Sequence, residues 1–155
     1  MRKLKLYIET STINFAVSKQ DEYYREKTQE LFEAIKRGDF EAYTSELVMQ
    51  EINRTKNEDR LNELLGVIKG LDLEELQINE DIEELAEKYI EAGLLPEKYL
   101  DDALHIAIAS YYEIDAIVTM NFEHMVKYKT KKGIPSVNML AGYKSLEIIS
   151  PSEVI

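Results

Sequence analysis

Four polar side chains stand at the ends of predicted strands or on neighbouring predicted helices, and their types suit a divalent cation. Glu9 and Asn121 each follow a short apolar segment, whereas Glu51 and Asp102 lie on predicted helices. Carboxylates that converge on one cleft repel each other unless a cation or a proton intervenes, and their oxygens suit Mg²⁺ or Mn²⁺. Such a cluster most often serves phosphodiester chemistry, because the metal polarises a phosphoryl oxygen and lowers the pKa of a water molecule.

The sequence offers no better set of residues for catalysis. It has no Gly-rich phosphate loop, no nucleophile elbow and no pair of histidines at metal-binding spacing. With zero cysteines, thiolate metal sites and disulfides are excluded. His105 and His124 lie in different predicted elements, and His105, on an apolar helix, is predicted to be a hydrogen-bonded core histidine outside the catalytic set.

Each candidate also has a plainer interpretation. Glu9 could be only a favourable charge at a helix N-terminus, and Glu51 could be a surface residue of an amphipathic helix. Asp102 could begin its helix while Asp101 binds the metal, and Asn121 could simply form a turn. The spacing alone leaves these alternatives open.

The elements that must position these residues follow from hydrophobic periodicity and capping signals. Strands are predicted at residues 4–8, 40–44, 116–119 and 146–149. Helices are predicted at residues 21–37, 57–70, 79–92 and 101–109, the last of them buried almost all round, and further helices follow the caps Ser45 and Ser136, the second ending near Gly142. An exposed loop is predicted at residues 127–133, and a turn at Ser150 and Pro151.

Strands that alternate with helices predict a three-layer α/β/α sandwich with a mostly parallel sheet. In such sheets ligands bind at the carboxyl ends of the strands. This rule brings Glu9, Ser45 and Asn121 to one edge of the sheet, where Glu51 and Asp102 could join them. A length of 155 residues is typical of one domain, predicted here to span residues 1–155.

Charge and hydropathy restrict the partners. Nineteen Lys and Arg against thirty Asp and Glu give a net charge of −11, so any nucleic-acid contact must be local. Two basic clusters could provide it, although a solvated helix face or loop is the plainer interpretation of each. They are Lys127, Lys129, Lys131 and Lys132 in one, and Arg54, Lys56 and Arg60 in the other. No apolar segment of the ~18 residues that cross a bilayer is present, nor is a secretory leader, so we expect a cytoplasmic protein without a membrane partner.

Four sequence blocks, in this order and spacing, resemble those of PIN-domain proteins along nearly the whole chain. The blocks are residues 7–11 (YIETS), 45–52 (SELVMQEI), 102–107 (DALHIA) and 118–124 (VTMNFEH), with 142–145 (GYKS) and 149–153 (ISPSE) closing the chain. Each block is weak alone, but together they identify the chain as a member of the PIN-domain family, similar to its VapC-type toxin ribonucleases.

The resemblance implies a parallel sheet of four or five strands and acidic residues that bind one or two Mg²⁺ or Mn²⁺ ions for RNA cleavage. By position, Glu9 is the first acid, Glu51 the helix acid and Asp102 the third, and these three would hold the metal. Asn121 takes the fourth catalytic place. The family usually has Asp at the first position, and Asn121 keeps an oxygen ligand but removes one charge.

Two further hydroxyl-bearing residues, Ser11 and Thr119, could orient an acid or contact phosphate near the metal, although capping explains them equally well. Members of the family commonly dimerise and are inhibited by an antitoxin that inserts a segment into the acidic cleft. We therefore expect an endoribonuclease toxin with an RNA substrate, an antitoxin partner and a homodimeric state. The alternative is a degenerate PIN domain that binds RNA or a protein without cleaving.

Overall fold

A five-stranded parallel sheet forms the centre of this computed structural model, which describes residues 2–155 except for the side chain of Tyr128. The strand order is β3-β2-β1-β4-β5, and every neighbouring pair is parallel. The strands are β1 (Lys5–Ile8), β2 (Glu41–Ser45), β3 (Glu74–Leu76), β4 (Ala116–Val118) and β5 (Glu147–Ile149). The predicted α/β/α sandwich with a parallel sheet is therefore confirmed.

Eight α-helices connect and flank the strands in the described part of the chain. They are α1 (Thr10–Val17), α2 (Glu22–Lys36), α3 (Glu46–Asn53), α4 (Glu58–Leu71), α5 (Glu80–Glu91), α6 (Leu100–Tyr111), α7 (Tyr128–Ala141) and α8 (Pro151–Val154). Polar side chains cap the N-termini of the first five by accepting a main-chain N–H: Glu9, Asp21, Ser45, Asn57 and Asn79. No helix within residues 2–155 has both the length and the apolar character needed to cross a bilayer.

The middle strand β1 sets the position of the site. Its Tyr7 is fully buried and is in register with Tyr43 on β2 and Ile117 on β4. The carboxyl ends of β1, β2 and β4 therefore lie side by side. Consequently Glu9, which follows β1, lies near Ser45 at the end of β2.

Helix α6 is the most deeply buried helix, as its apolar sequence predicts. Ala103 and the whole segment 105–110 are buried, including the polar side chains of His105 and Ser110. Asp102 precedes this segment in the first turn of the helix and is partly exposed. The first turn of α6 therefore carries Asp102 at the surface of the core.

The predicted loop at residues 127–133 is wrong, and so is the predicted helix start at Ser136. Helix α7 already begins at residue 128 and continues through Gly133 and Pro135, which are normally signals of a helix end. Thr130 and Ile134 are both buried, and the Thr130 hydroxyl donates to the Leu94 carbonyl oxygen at 2.9 Å. An internal proline costs a helix roughly 3 kcal/mol, and the burial of this face of α7 acts against that cost.

Two smaller features also differ from the prediction. Strand β3, which pairs with β2, was not predicted, because Glu74 and Glu75 are exposed charges and only Leu76 is buried. Ser150 and Pro151 begin the short helix α8 rather than a simple turn, with Ser150 and Glu153 forming a capping box.

Candidate functional site

A cleft of about 510 Å³ opens near the carboxyl ends of β1 and β4, and the structure brings the four predicted catalytic residues together there. Glu9, Glu51, Asp102 and Asn121 all line it. The remaining lining residues are Thr10, Ser11, Asn14, Lys98, Tyr99, Leu100, Asp101 and His124.

Glu9 is held from several directions at the start of α1. Its side chain is the N-cap of the helix, where Oε2 accepts from the Ser11 N–H at 3.2 Å. Oε1 accepts from the hydroxyl groups of Ser11 and of Thr119, the latter at 2.7 Å. Glu9 is only 4% exposed, so these donors replace most of its hydration. Glu9 therefore caps the N-terminus of α1, as its plainer interpretation predicts, and it also lines the cleft.

The main chain after β4 orients the two hydroxyls that bind Glu9. The Met120 N–H donates to Ser11 Oγ at 2.8 Å, and the Asn121 N–H donates to Thr119 Oγ1 at 2.9 Å. With their oxygens occupied as acceptors, both hydroxyls are free to donate to Glu9. Ser11 and Thr119 are therefore placed to orient the carboxylate of Glu9.

Glu51 reaches the cleft from α3. Its Oε1 accepts from the Thr10 hydroxyl at 2.6 Å and lies 2.5 Å from His105 Nε2. Burial raises the pKa of this carboxyl, but the hydrogen bond and the charge of His105, the Thr10 hydroxyl and the charge of Arg54 outweigh it, so that the pKa is lowered. Glu51 is therefore a partly buried acid that favours its charged form.

His105 is fully buried between Glu51 and the central strand. Its Nδ1 lies 2.6 Å from the Tyr7 hydroxyl. Burial lowers the pKa of the imidazole, but the hydrogen bond to Glu51 and the negative charges of Glu9, Glu51 and Asp102 outweigh it, and the pKa is raised. His105 is hydrogen-bonded and buried, as predicted, yet it also contacts an acid of the cleft. The signal that could have found it is its position three residues after Asp102, on the same helix face.

Asp102 lies on the far side of the cleft with two partners of its own. Asn121 Nδ2 donates to Oδ1 at 3.2 Å, and His124 Nδ1 lies 2.8 Å from Oδ2. The His124 ring stacks on Tyr99, with 3.6 Å between the ring centroids and 25° between the planes. Neither His124 nor Tyr99 was predicted as a site residue, because no periodicity relates residues 99, 102 and 124.

The neighbouring Asp101 was an alternative to Asp102, and the two differ in their surroundings. The Asp101 side chain is 49% exposed and lies 3.6 Å from Arg54, whereas the Asp102 side chain is 16% exposed. Both line the cleft, but only Asp102 contacts Asn121 and His124. The geometry favours Asp102 as the acid of the cleft.

The donor atoms in the cleft fit a hard divalent cation. Ligand atoms of Glu9, Glu51 and His105 all lie within 4.8 Å of one another. Carboxylate oxygens suit Mg²⁺ and Mn²⁺, whereas the imidazole nitrogen is already engaged with Glu51. Glu9 and Glu51 could therefore provide oxygen ligands to one ion, and Asp102 lies in the same cleft but outside this group of three.

The predicted basic cluster adjoins the acidic cleft. A second cavity of about 410 Å³ is lined by Lys127 and Lys129 and shares Tyr99 and His124 with the cleft. The other two lysines of this cluster, Lys131 and Lys132, lie on α7. In the second basic cluster, Arg54 faces Asp101 and Arg60 donates to the carbonyl oxygen of Asn14 at 3.4 Å.

Comparison with known proteins shows the family to which this chain belongs and several solved structures with a similar fold. The chain matches the PIN domain over residues 6–128. The structure of VapBC2 from Rickettsia felis, bound to a DNA fragment from the promoter, is 18% identical with a TM-score of 0.59, and the match covers 94% of this chain and 98% of that chain.

Two structures from Mycobacterium tuberculosis are similar to the same degree. VapBC-5, from the VapBC family of toxin-antitoxin systems, is 15% identical with a TM-score of 0.54, over 94% of this chain and 98% of that one. VapC20, a toxin that cleaves the sarcin-ricin loop, is 14% identical with a TM-score of 0.57, over 78% and 93%. At these identities the structures show a shared fold. The comparison with curated proteins found no match.

Proposed function

Because the chain belongs to the PIN domain family, we propose that it is an endoribonuclease that depends on Mg²⁺ or Mn²⁺ and acts as the toxin of a toxin-antitoxin pair. The observation that carries this proposal is the convergence of Glu9, Glu51 and Asp102 on one cleft. Of the charged residues that line this cleft, four are acids and Lys98 is the one lysine. An excess of negative charge in a confined space favours binding of a divalent cation.

The proposed roles follow from the contacts. Glu9, Glu51 and Asp102 hold the metal, and Asn121 assists by fixing Asp102. A divalent cation bound there would stabilise negative charge on the phosphoryl oxygens and lower the pKa of the attacking water. The hydroxyls of Ser11 and Thr119 keep Glu9 in place, which matters because catalysis requires ligands held within a fraction of an ångström.

Two kinds of partner fit the surroundings of the cleft. The adjoining cavity with Lys127 and Lys129 would bind RNA phosphates, and Lys131 and Lys132, which follow Lys129 on α7, would extend this basic segment. The acidic cleft itself would accept a cationic segment of an antitoxin protein. We also propose a homodimer, supported by the exposed apolar side chains of Met139 and Leu140 on α7.

A degenerate PIN domain without nuclease activity is the second candidate, and one observation favours it. Asp102 and Glu51 already have histidine partners at 2.8 and 2.5 Å, so their charges are partly compensated without a cation. In such a protein Asp102→Asn would stabilise the metal-free fold, because it relieves repulsion in the cleft, and would change no activity.

The test is cleavage of a mixed RNA pool by the purified protein with Mg²⁺, with Mn²⁺ or with excess chelator. Asp102→Asn is the test variant and Asp101→Asn, one residue earlier on the same helix, is the matched control. We expect cleavage that requires metal, is lost in Asp102→Asn and persists in Asp101→Asn. A folded protein that cleaves no RNA under any metal, and whose melting temperature no metal raises, would favour the non-catalytic candidate.

A further inference from the structure

A continuous chain of buried polar groups runs from the sheet to the cleft. Tyr7, Ser45 and His105 are all fully buried. The Tyr7 hydroxyl lies 2.8 Å from Ser45 Oγ and 2.6 Å from His105 Nδ1. His105 Nε2 in turn lies 2.5 Å from Glu51 Oε1, so the chain ends on a predicted metal ligand.

The hydrogens in this chain can be assigned by elimination. An ionised carboxylate only accepts, so His105 Nε2 must donate to Glu51. In a neutral imidazole Nδ1 then accepts from the Tyr7 hydroxyl, and Tyr7 accepts from Ser45. Ser45 is free to donate because its oxygen already accepts from the Val48 N–H at 3.1 Å. With a neutral imidazole, the donor and the acceptor of every hydrogen bond in this chain are therefore assigned without conflict.

In this assignment His105 Nε2 donates a hydrogen bond to Glu51 in either charge state of the ring. A protonated imidazole also donates from Nε2. The Nδ1 hydrogen bond to Tyr7 then reverses its direction, and Tyr7 donates to Ser45 instead of accepting from it. The position of the imidazole therefore does not depend on its titration. It depends on the buried hydroxyl of Tyr7, which fixes the ring from the side opposite Glu51.

The two hydrogen bonds to Glu51 fall on the same oxygen atom. Thr10 and His105 both donate to Oε1, so within the described part of the chain Oε2 remains available to a cation. We propose that His105, held by Tyr7 and Ser45, is a positioning residue that fixes Glu51 through Oε1 and leaves Oε2 for the metal. This inference rests on the proposed function, since it assumes that Glu51 binds a metal.

A second buried tyrosine gives a matched control. Tyr89 is also fully buried; its hydroxyl donates to Asn138 Oδ1 at 2.5 Å and lies 3.1 Å from Ser110 Oγ. None of these three residues lines the acidic cleft. Tyr7→Phe and Tyr89→Phe therefore remove the same atom from two similar buried networks, of which one reaches Glu51.

The experiment compares the Mn²⁺ affinity of the wild type, Tyr7→Phe and Tyr89→Phe by calorimetry without RNA. Both variants should melt a few degrees lower, because each leaves buried polar atoms unpaired. Only Tyr7→Phe should bind Mn²⁺ more weakly, by roughly 10- to 100-fold, as is usual when a group that supports a ligand is removed. RNA cleavage by Tyr7→Phe should recover as the Mn²⁺ concentration rises.

Equal Mn²⁺ affinities in the two variants would overturn the positioning role and leave the nuclease proposal intact. Wild-type protein that binds Mn²⁺ but cleaves no RNA would overturn the nuclease proposal. It would leave the positioning role intact, because the Mn²⁺ affinity is measured without RNA. A wild type that binds no Mn²⁺ would overturn both.

A measurement on the wild type alone covers the case in which Tyr7→Phe does not fold. ¹⁵N NMR of the histidine side chains should show a hydrogen on His105 Nε2, both without metal and with saturating Mg²⁺. An Nε2 atom without hydrogen in the metal-free protein would overturn the proposal. Loss of that hydrogen on adding Mg²⁺ would show that His105 is itself a ligand, and would overturn it as well.

Discussion

Asn121 donates a hydrogen bond from its side-chain amide to Asp102 Oδ1, at 3.2 Å, across the acidic cleft that both residues line. Asn121→Asp would place two carboxylates in contact. We expect the metal-free variant to lose roughly 1 kcal/mol of stability, a typical size for a point mutation, and to gain a larger metal-induced rise in melting temperature than the wild type. Thermal melts with and without Mn²⁺ would measure both effects.

The control for this prediction is Asn14→Asp. Asn14 also lines the cleft but bonds to the Thr10 carbonyl oxygen, so the same charge is added without contact with Asp102. If Asn14→Asp and Asn121→Asp respond equally to metal, then only the net charge of the cleft matters, and the proposed role of the amide is wrong.

Lys127 and Lys129 should contribute to RNA binding. We expect the double variant Lys127→Gln and Lys129→Gln to bind single-stranded RNA more weakly and to reduce the slope of log K against log salt by about 0.7 for each lost phosphate contact. The measurement is fluorescence anisotropy at several salt concentrations, with Asp102→Asn as background. The exposed lysines Lys36 and Lys69, changed together to Gln, are the control, and an unchanged slope in the test variant would contradict the prediction.

At the opposite ends of the strands, Asp115 should make stability depend on pH. Hydrogen bonding to Arg2, the Lys5 N–H and Lys144 outweighs burial and holds the pKa of this carboxyl well below its usual range. A lowered pKa stabilises the fold above the unfolded value of about 4, and this stability is lost as the pH falls below that value.

Asp115→Asn should therefore lower the free energy of unfolding at pH 7 by about 1 kcal/mol, a modest amount because Arg2 and Lys144 are exposed to solvent. Urea unfolding at pH 7 and at pH 3 should show a smaller difference from the wild type at pH 3. Asp39→Asn, which breaks an exposed pair with Arg37, should change little at either pH. A difference that is independent of pH would contradict the prediction.

Two helical glycines should respond in opposite ways to alanine. A Cβ atom at Gly66 on α4 has no neighbour within 4 Å, so Gly66→Ala should stabilise the protein by up to about 1 kcal/mol. A Cβ atom at Gly133 on α7 would lie 2.2 Å from Leu94 Cδ2, so Gly133→Ala should destabilise it by about 1–3 kcal/mol. Urea unfolding of both variants measures this, and stabilisation by Gly133→Ala would mean that the Leu94 side chain moves aside at little cost.

The proposed homodimer predicts an effect at the most exposed apolar pair. Met139 is 72% exposed and Leu140 is 87% exposed, and changing both to Lys should convert a dimer to a monomer. Light scattering coupled to gel filtration gives the mass, and Leu4→Lys, at another exposed apolar position, should leave it unchanged. A monomeric wild type would contradict the homodimer itself.

The sequence predicted most of the fold because local patterns determined most elements. Alternation and capping identified β1 and α3, and the rule for parallel sheets brought Glu9 and Ser45 to the same edge. The first half of helix α7 was wrongly predicted as a loop, because Gly133 and Pro135 are local signals of a helix end. The burial of residues 130 and 134, which stabilises the helix, comes from tertiary packing. Local patterns carry no information about such packing.

The acids of the candidate site and the two hydroxyl partners of Glu9, Ser11 and Thr119, were predicted from the sequence, whereas the histidine partners of Glu51 and Asp102 were not. Glu51 and Asp102 were indicated by the rule for strand ends and by the sequence blocks in which they stand. Each of these signals is local, because it depends only on the segment that contains the residue. His105 and His124 act on these acids across 54 and 22 residues of sequence, and the contact depends on how separate elements pack. No periodicity relates His105 to Glu51 or His124 to Asp102, so a single sequence does not reveal these two contacts.

The middle position of β1 has a consequence for protein synthesis. Glu9 is made early, yet Thr119, which binds it, lies 110 residues later, and β1 lacks its neighbour β4 until residues 116–118 exist. The ribosome must therefore reach residue 119 before the cleft can form. A nascent chain that has not reached β4 carries Glu9 and Glu51 but no assembled site, so the activity proposed here would begin only after residue 119 has been made.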